Sequence, residues 1–133
     1  MKQKGINSFS GKRIWIIGAS SGIGEACAKS LINQNARVIL SSRRVERLNA
    51  IAQNAKVDQA LVIPLDVTDD KQLATAYEKI INTWSGIDLL LFVSGVYTPL
   101  RADDFDIHIA EQTIDANLLG PMKAVALLLP KML

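Results

Sequence analysis

The sequence predicts an α/β fold in which a parallel sheet carries helices on both faces. Short β-branched, apolar runs alternate with amphipathic stretches of helix length along the 133-residue chain. This alternation is typical of a doubly wound parallel sheet with crossover helices. A chain of this length can bury one core but hardly two, so we expect a single domain over residues 1–133.

The first predicted strand covers Arg13 to Ile17, a continuous apolar run of the kind that is buried on both faces of a sheet. It breaks at Gly18. The helix that follows carries Ile23, Cys27 and Leu31 at a spacing of four, which predicts one buried face.

Asn35 marks the predicted end of this helix, because Asn tolerates the left-handed conformation common at helix C-termini. A second strand, Arg37 to Leu40, follows at once. The second helix is predicted to open near Arg44 and to have an apolar face made of Val45, Leu48, Ala52 and Ala55.

The third strand is predicted at Leu61 to Leu65 and ends at Asp66. Asp69 fits the N-cap of a third helix, with Gln72 three residues later as in a capping box. One stripe of this helix is apolar and consists of Leu73, Tyr77, Ile80 and Trp84.

The last part of the chain is predicted to form a fourth strand and a long helix. The strand spans Ile87 to Val93, and a polar, turn-rich stretch from Thr98 to Asp106 follows it. The helix begins near Ile107 and runs to the end of the sequence, with a kink expected at Gly120 and Pro121.

Composition excludes several classes of function. Lys and Arg number 15 against 13 Asp and Glu, and this net charge of +2 is spread along the chain, so we expect no nucleic-acid partner. Cys27 is the single cysteine and cannot form an internal disulfide, which indicates a reducing compartment. His108 is the single histidine, and no run has metal-ligand spacing, so we predict no metal site.

The amino terminus, Met1 to Ser10, has no apolar stretch of signal-peptide length. The longest apolar runs, Leu89 to Val93 and Ala124 to Leu129, are far shorter than the ~20 residues that span a bilayer. We therefore predict a cytoplasmic protein with no membrane partner.

Residues 18–24 read Gly-Ala-Ser-Ser-Gly-Ile-Gly and lie between the first strand and the first helix. Gly18 allows a sharp turn, Gly22 leaves room for a pyrophosphate against the backbone, and Gly24 lets the helix pack closely on the sheet. The helix N-terminus offers free N–H groups to that phosphate. We interpret the segment as a nucleotide-binding loop rather than a purely structural turn, with Gly18, Ser20, Ser21, Gly22, Ile23 and Gly24 in contact with the cofactor.

The end of the second strand reads Ser-Ser-Arg-Arg over residues 41–44, where a dinucleotide fold places the adenosine ribose. It has no Asp or Glu to accept a hydrogen bond from a free 2′-hydroxyl, whereas Ser42 and Arg43 suit a 2′-phosphate. This favours NADP(H), with NAD(H) still possible. Alternatively the arginines form a solvated helix face, the interpretation that we prefer for Arg44 and Arg47.

These residues resemble the short-chain dehydrogenase/reductase family. Its Thr-Gly-x-x-x-Gly-x-Gly motif is matched by residues 17–24, with Ile17 in place of Thr. Its Asp after the third strand, which contacts adenine, corresponds to Asp66, and Val67 is implied as a main-chain partner of the cofactor.

Two later motifs extend the resemblance to the end of the chain. The family's Asn-Asn-Ala-Gly after the fourth strand corresponds to residues 92–95, where Ser94 and Gly95 are implied as cofactor contacts and Gly95 alone is kept. Its helix Asn, often followed by Leu-x-Gly, is matched by Asn117. The resemblance implies a Rossmann-type sheet, truncated to about four strands in the order 3-2-1-4.

The family's chemistry implies hydride transfer between a nicotinamide and a carbonyl or alcohol, with catalytic Ser, Tyr, Lys and Asn side chains. Of these four positions the chain supplies only Asn117. Tyr77 and Tyr97 are not followed by Lys at the fourth position, and residue 133 precedes the region of the Ser and of Tyr-x-x-x-Lys. The resemblance therefore implies the cofactor-binding half of such an enzyme, expected to be inactive alone.

An incomplete sheet has consequences for assembly. The fourth strand becomes an edge, and the last helix is expected to expose Leu127, Leu128, Leu129, Met132 and Leu133. We therefore predict a homo-oligomer formed through that strand and helix. The alternatives are a non-catalytic nucleotide-binding or oligomerising module, or a truncated product without a function of its own.

Overall fold

The computed structural model describes residues 8–133. Its centre is a parallel sheet of four strands in the order β3-β2-β1-β4. The strands are β1 (Arg13–Ile17), β2 (Arg37–Ser41), β3 (Ala60–Val62) and β4 (Leu89–Phe92). The predicted strand order is confirmed. Residues 1–7, on which the signal-peptide interpretation partly depends, lie outside the described residues.

Five α-helices connect or follow the strands in this part of the chain: α1 (Gly22–Asn33), α2 (Val45–Ala52), α3 (Asp70–Trp84), α4 (Ile107–Ile114) and α5 (Gly120–Met132). A π-helical segment, Asp115–Leu119, joins α4 to α5. Over residues 8–133 no helix is both long and apolar enough to cross a membrane.

The strands are buried on both faces because successive side chains point to opposite sides of the sheet. Ile14 and Ile16 pack with α1 and α2, whereas Trp15 and Ile17 pack with α3 and α5. The Trp15 indole N–H is buried and donates to Ser41 Oγ at 2.9 Å. The continuous apolar run of β1 is thus explained by two separate cores.

Two helix-end predictions are confirmed. Asn35 has a φ of 58°, the left-handed conformation expected just after α1. Asp69 caps α3, and its Oδ1 accepts hydrogen bonds from the N–H groups of Lys71 and Gln72 at 3.0 and 3.1 Å. Gln72 differs from a regular capping box, because its Oε1 accepts from Asp66 N at 2.9 Å.

The predicted inner face of α1 was wrong in part. Its buried residues are Gly24, Ala28, Leu31 and Ile32, whereas Ile23 is 75% exposed and Cys27 is half-buried. The buried face of α1 is rotated about the helix axis relative to the predicted one, because α1 closely approaches the end of β1. A Cβ at Gly24 would collide with the carbonyl of Gly18, so the row of side chains that begins at Gly24 faces the sheet.

The third strand is shorter than predicted, at Ala60–Val62. Backbone hydrogen bonds to the β2 segment nevertheless continue after Val62. Ile63 N donates to Leu40 O and Leu65 N donates to Ser42 O, both at 3.0 Å. The predicted extent to Leu65 therefore describes the paired backbone rather than the regular strand.

The last helical stretch differs from the prediction in two ways. A kink was predicted at Gly120 and Pro121, whereas the irregular part of the stretch is the π-helical segment just before Gly120. Gly120 itself has helical dihedral angles. Leu128 is buried among α3 and sheet residues at 2% exposure, and Leu127 packs against the same core, so neither is a free apolar side chain. Leu129, Met132 and Leu133 are exposed, as predicted.

Candidate cofactor-binding site

The carboxyl edge of the sheet brings the predicted site residues together. All pairs of neighbouring strands are parallel, so the segments that follow β1, β2, β3 and β4 lie at one edge. Ligands of open parallel α/β sheets bind at this edge. The segments carry the glycine-rich loop, the Ser42–Arg43 pair, the Asp66–Val67 pair and the Ser94–Gly95 pair.

The turn out of β1 depends on glycine at position 18. Gly18 has a φ of 98°, and a Cβ there would lie 2.5 Å from Ser94 N. Its N–H donates to Ser41 O at 2.8 Å. The loop is therefore fixed between the ends of β2 and β4, and Ser94 lies beside it.

Gly22 and Gly24 have different surroundings within the same loop. Gly22 has a φ of 55°, and a Cβ there would meet no atom within 4 Å. A Cβ at Gly24 would instead meet the Gly18 backbone and lie 2.8 Å from Val93 Cγ2. Gly24 is thus required by packing, whereas Gly22 leaves open space at the start of α1.

The start of α1 keeps its N–H groups available for an anion. Ser21 is the N-cap residue, a position where serine normally accepts a hydrogen bond from the helix backbone, but its side chain makes no such bond. Its Oγ accepts a hydrogen bond from Arg44 Nη2 at 2.6 Å instead. The opening N–H groups of a helix have no partners within the helix, so here they remain donors for a phosphate.

We expected Arg44 and Arg47 only to form a solvated face of α2, but both also contact another segment. Arg44 Nε donates to Ser20 Oγ at 3.2 Å, and Arg47 Nη1 lies 3.5 Å from the Ser20 carbonyl. Both guanidinium groups thus contact the glycine-rich loop. The sequence feature that could have indicated these contacts is the spacing of three residues between the two arginines at the first turn of α2, which puts both on one helix face.

The other two β2-tip residues lie where they were predicted. Ser42 is half-buried, and its Oγ accepts a hydrogen bond from Arg44 N at 3.1 Å. Arg43 is exposed at the same edge, and its positive charge is among the causes that lower the pKa of Asp66. The strand tip therefore presents cationic groups toward both the loop and Asp66.

Asp66 is held as an ionised carboxylate by its own turn. The N–H and hydroxyl of Thr68 donate to Asp66 Oδ1 at 3.0 and 2.7 Å. These hydrogen bonds are the main cause that lowers the pKa of Asp66. The next residue, Val67, is buried at 8% exposure, and its Cγ2 lies 3.4 Å from the Cβ position of Gly120.

Asn117 lies in the π-helical segment and binds the backbone that follows β4. Its Oδ1 accepts from Val96 N at 2.8 Å, and its Nδ2 donates to Val96 O at 2.7 Å. A Cβ at Gly95 would lie 3.3 Å from the same Oδ1. Gly95 therefore lies beside the Asn117 side chain, whose amide binds the loop that follows β4.

A separate cavity of about 390 Å³ lies near the amino ends of β1 and β4, with Arg13, Tyr77, Asp88 and Lys131 in its wall. It is at the opposite edge of the sheet from the glycine-rich loop. Within residues 8–133, no three His, Cys, Asp or Glu side chains are grouped as metal ligands.

Comparison with known proteins gives the family. The family model for short chain dehydrogenases matches residues 12–133. The chain belongs to the short-chain dehydrogenase family. An uncharacterized oxidoreductase of Staphylococcus haemolyticus is 29% identical over 126 residues, which are 95% of this chain and 54% of that relative. One from Staphylococcus aureus strain MW2 is 31% identical over 118 residues, 89% of this chain and 51% of the relative.

Solved structures share the fold. A short-chain dehydrogenase from Streptomyces avermitilis superposes with a TM-score of 0.87 at 27% identity, over 92% of this chain and 45% of that one. L-Sorbose reductase from Gluconobacter frateurii, complexed with NADPH and L-sorbose, has a TM-score of 0.86 at 24% identity, over 94% and 49%. The chain thus spans about half the length of the relatives it matches.

Proposed function

We propose that this chain is the dinucleotide-binding domain of an NAD(P)(H)-dependent oxidoreductase. The observation that carries the proposal is the join between β1 and α1, where open space at Gly22 faces the uncapped start of α1. A pyrophosphate needs both features, a backbone without a side chain and unpartnered N–H groups. The family match over residues 12–133 supports the same proposal.

The cofactor proposed is NADP(H) in preference to NAD(H). Arg43 and Arg44 follow β2, and the Arg44 guanidinium reaches the hydroxyls of Ser20 and Ser21 in the glycine-rich loop. A 2′-phosphate between the β2 tip and this loop would meet one or two guanidinium groups and the Ser42 hydroxyl. Asp66 lies after β3, where its carboxylate suits the adenine amino group.

The reaction proposed for the whole enzyme is hydride transfer between the nicotinamide and a carbonyl or alcohol substrate. When bound, the cofactor would donate the hydride to a carbonyl or accept it from an alcohol. Within this chain Asn117 holds the backbone at Val96 beside Gly95, and this fixes the loop that follows β4. The Ser, Tyr and Lys of the family's mechanism have no counterparts here, so we expect the chain alone to bind cofactor without turning over substrate.

A titration of the purified chain with NADPH, and separately with NADH, tests the proposal. Nicotinamide fluorescence reports binding, and the shift in melting temperature reports linkage of binding to folding. We expect saturable binding of NADPH and weaker binding of NADH. A folded chain that binds neither dinucleotide would overturn the proposal, and equal affinities would overturn the NADP(H) preference alone.

A second candidate function is that of an oligomerising module. Within residues 8–133, β4 pairs with β1 alone, and α4 contains no buried residue. Both features leave backbone and apolar surface free for a partner. We accordingly propose a homo-oligomer formed through β4 and the last helical stretch. A stable, defined oligomer that has no affinity for either dinucleotide would favour this candidate over the first.

A further inference from the structure

A buried hydrogen bond joins the side chains of β1 and β2 near the carboxyl edge of the sheet. The Trp15 indole N–H donates to Ser41 Oγ at 2.9 Å, and both residues are 0% exposed. Within residues 8–133 it is the only hydrogen bond between two side chains of the strands. A buried polar pair stabilises a core no better than apolar side chains of the same shape, so this pair points to a role beyond packing.

Ser41 also binds the glycine-rich loop through its main chain. The Ser41 carbonyl accepts hydrogen bonds from the N–H groups of Gly18 and Ala19, at 2.8 and 3.2 Å. These are the first two residues after β1, where the chain turns toward α1. One residue at the end of β2 therefore binds β1 with its side chain and the loop with its carbonyl.

The tip of β2 continues directly from Ser41. The Ser42 carbonyl accepts a hydrogen bond from Leu65 N at 3.0 Å, and the Ser42 hydroxyl accepts one from Arg44 N at 3.1 Å. Arg43 and Arg44, the proposed partners of the 2′-phosphate, follow immediately. A displacement of Ser41 would therefore move the glycine-rich loop and the β2 tip together.

The loop has a second set of side-chain contacts, which come from an exposed residue. Arg44 donates to the hydroxyls of Ser20 and Ser21 at 3.2 and 2.6 Å, and its own side chain is open to solvent. Water competes for these bonds, whereas it does not reach the bond between Trp15 and Ser41. The buried bond is therefore the more rigid of the two connections.

We infer that Trp15 and Ser41 are positioning residues for the dinucleotide. Their hydrogen bond fixes the end of β2 against β1, and the Ser41 carbonyl fixes the loop at the same point. The inference rests on the cofactor-binding function proposed above and adds two residues that do not touch the cofactor. The loop would bind the pyrophosphate of both dinucleotides and the tip the 2′-phosphate of NADPH, so loss of the bond weakens both, NADPH more than NADH.

Fluorescence titrations of Ser41→Ala and Trp15→Phe test the role in binding. We expect each variant to raise the Kd for NADPH about tenfold and the Kd for NADH about threefold, at a temperature where circular dichroism shows it folded. Trp84→Phe is the matched control. Trp84 belongs to the same core as Trp15, but its carbonyl accepts from Arg13 at the opposite edge of the sheet, so this variant should lose stability without losing affinity.

Three further variants separate positioning from a simple loss of packing. Ser41→Thr keeps the hydroxyl and should bind NADPH within about twofold of the unaltered chain. Ser41→Cys keeps the size of the side chain, but a thiol is a weak acceptor, so it should resemble Ser41→Ala. In the double variant Trp15→Phe/Ser41→Ala no unpaired polar group stays buried. Its stability should exceed the sum of the single effects, while its affinity for NADPH stays low.

Amide hydrogen exchange followed by NMR tests the anchoring of the loop without any cofactor. The Gly18 N–H should exchange at least about tenfold faster in Ser41→Ala and in Trp15→Phe than in the unaltered chain, because the carbonyl that it binds is no longer held. The internal control is the Asp88 N–H, which donates to Arg13 O at the opposite edge of the sheet and should change much less.

The positioning role and the proposed function fail separately. Unchanged NADPH affinity in Ser41→Ala and Trp15→Phe, or an equal loss in Trp84→Phe, would overturn the positioning role alone. Gly18 exchange that accelerates no more than Asp88 exchange would also overturn it. An unaltered chain that binds neither dinucleotide, although Gly18 exchange accelerates as expected, would overturn the proposed function and support the anchoring of the loop.

Discussion

The Asn117 side-chain amide makes two hydrogen bonds to the backbone of Val96, one as acceptor at 2.8 Å and one as donor at 2.7 Å. The pair imitates one step of a β-ladder between a helix and the loop after β4. It fixes the loop next to Gly95, at the sheet edge where we propose that the cofactor binds.

Removal of this amide should loosen the loop. We expect Asn117→Ala to lower the free energy of unfolding by about 1 kcal/mol, since two partly exposed hydrogen bonds are lost. Urea unfolding measures the change, and Gln112→Ala on the exposed face of α4 is the control. Asn117→Asp should be no more stable than Asn117→Ala at neutral pH, because it places a carboxylate oxygen against the Val96 carbonyl. Full stability in Asn117→Asp would contradict this account.

Gly24 and Gly22 should respond differently to the same added methyl group. A Cβ at Gly24 meets the Gly18 backbone, so we expect Gly24→Ala to cost about 1–3 kcal/mol in unfolding free energy. At Gly22 the cost is only that of its positive φ, roughly 1 kcal/mol.

Among variants that fold, we expect the opposite order for cofactor affinity, with the larger loss in Gly22→Ala. The methyl of Gly22→Ala enters the open space proposed for the pyrophosphate, and NADPH binding should weaken at least about tenfold. Thermal unfolding and NADPH titration on both variants separate the two effects. A Gly22→Ala variant with unchanged affinity would contradict the proposed position of the pyrophosphate.

The sequence predicted those parts of the fold that depend on local pattern. Apolar runs predicted both ends of β1 and placed β2 to within one residue, and the turn chemistry at Asn35 and Asp69 predicted two helix ends. The strand order followed from the family resemblance. These features require only short-range periodicity and the known preferences of single residues.

Features that depend on two segments meeting were missed. The inner face of α1 was misassigned because the contact of Gly24 with Gly18 decides it. Gln59 is buried at 7% exposure, and its Nε2 donates to the carbonyls of Ile32 and Ala36. Arg44 was assigned to solvent because its reach to Ser21 depends on how α2 sits beside the loop. None of these contacts has a signature within a single window of sequence.

The arginines after β2 should determine the choice of dinucleotide. We expect Arg43→Ala and Arg44→Ala each to weaken NADPH binding about tenfold, because each would remove the charge-assisted contact that we propose with the 2′-phosphate. NADH has no phosphate at this position and should change less than about twofold. Fluorescence titrations of both variants give the four dissociation constants. Equal losses for NADPH and NADH would contradict the phosphate assignment of that arginine.

The ion pair between Arg13 and Asp88 should make stability depend on pH. Asp88 Oδ1 lies 2.9 Å from Arg13 Nη2, and Asp88 Oδ2 accepts from Arg13 Nε at 3.0 Å and Arg13 N at 2.8 Å. The side-chain hydrogen bonds with Arg13 are the largest cause that lowers the pKa of Asp88. The carboxylate is thus stabilised in the folded chain relative to the unfolded one.

A lowered pKa fixes the direction of the effect. The contribution of Asp88 is complete above its unfolded pKa of about 3.9, and it is lost as the pH falls through the lower folded value. We expect Asp88→Asn to be about 1 kcal/mol less stable than the unaltered chain at pH 7, a modest value because both side chains are partly exposed to solvent. The difference should shrink as the pH approaches 3.

Urea unfolding at several pH values measures this difference in stability, and Asp104→Asn in the exposed loop before α4 controls for the loss of one negative charge. A difference that stays constant from pH 7 to pH 3 would show that Asp88 stabilises the fold by its shape rather than by its charge.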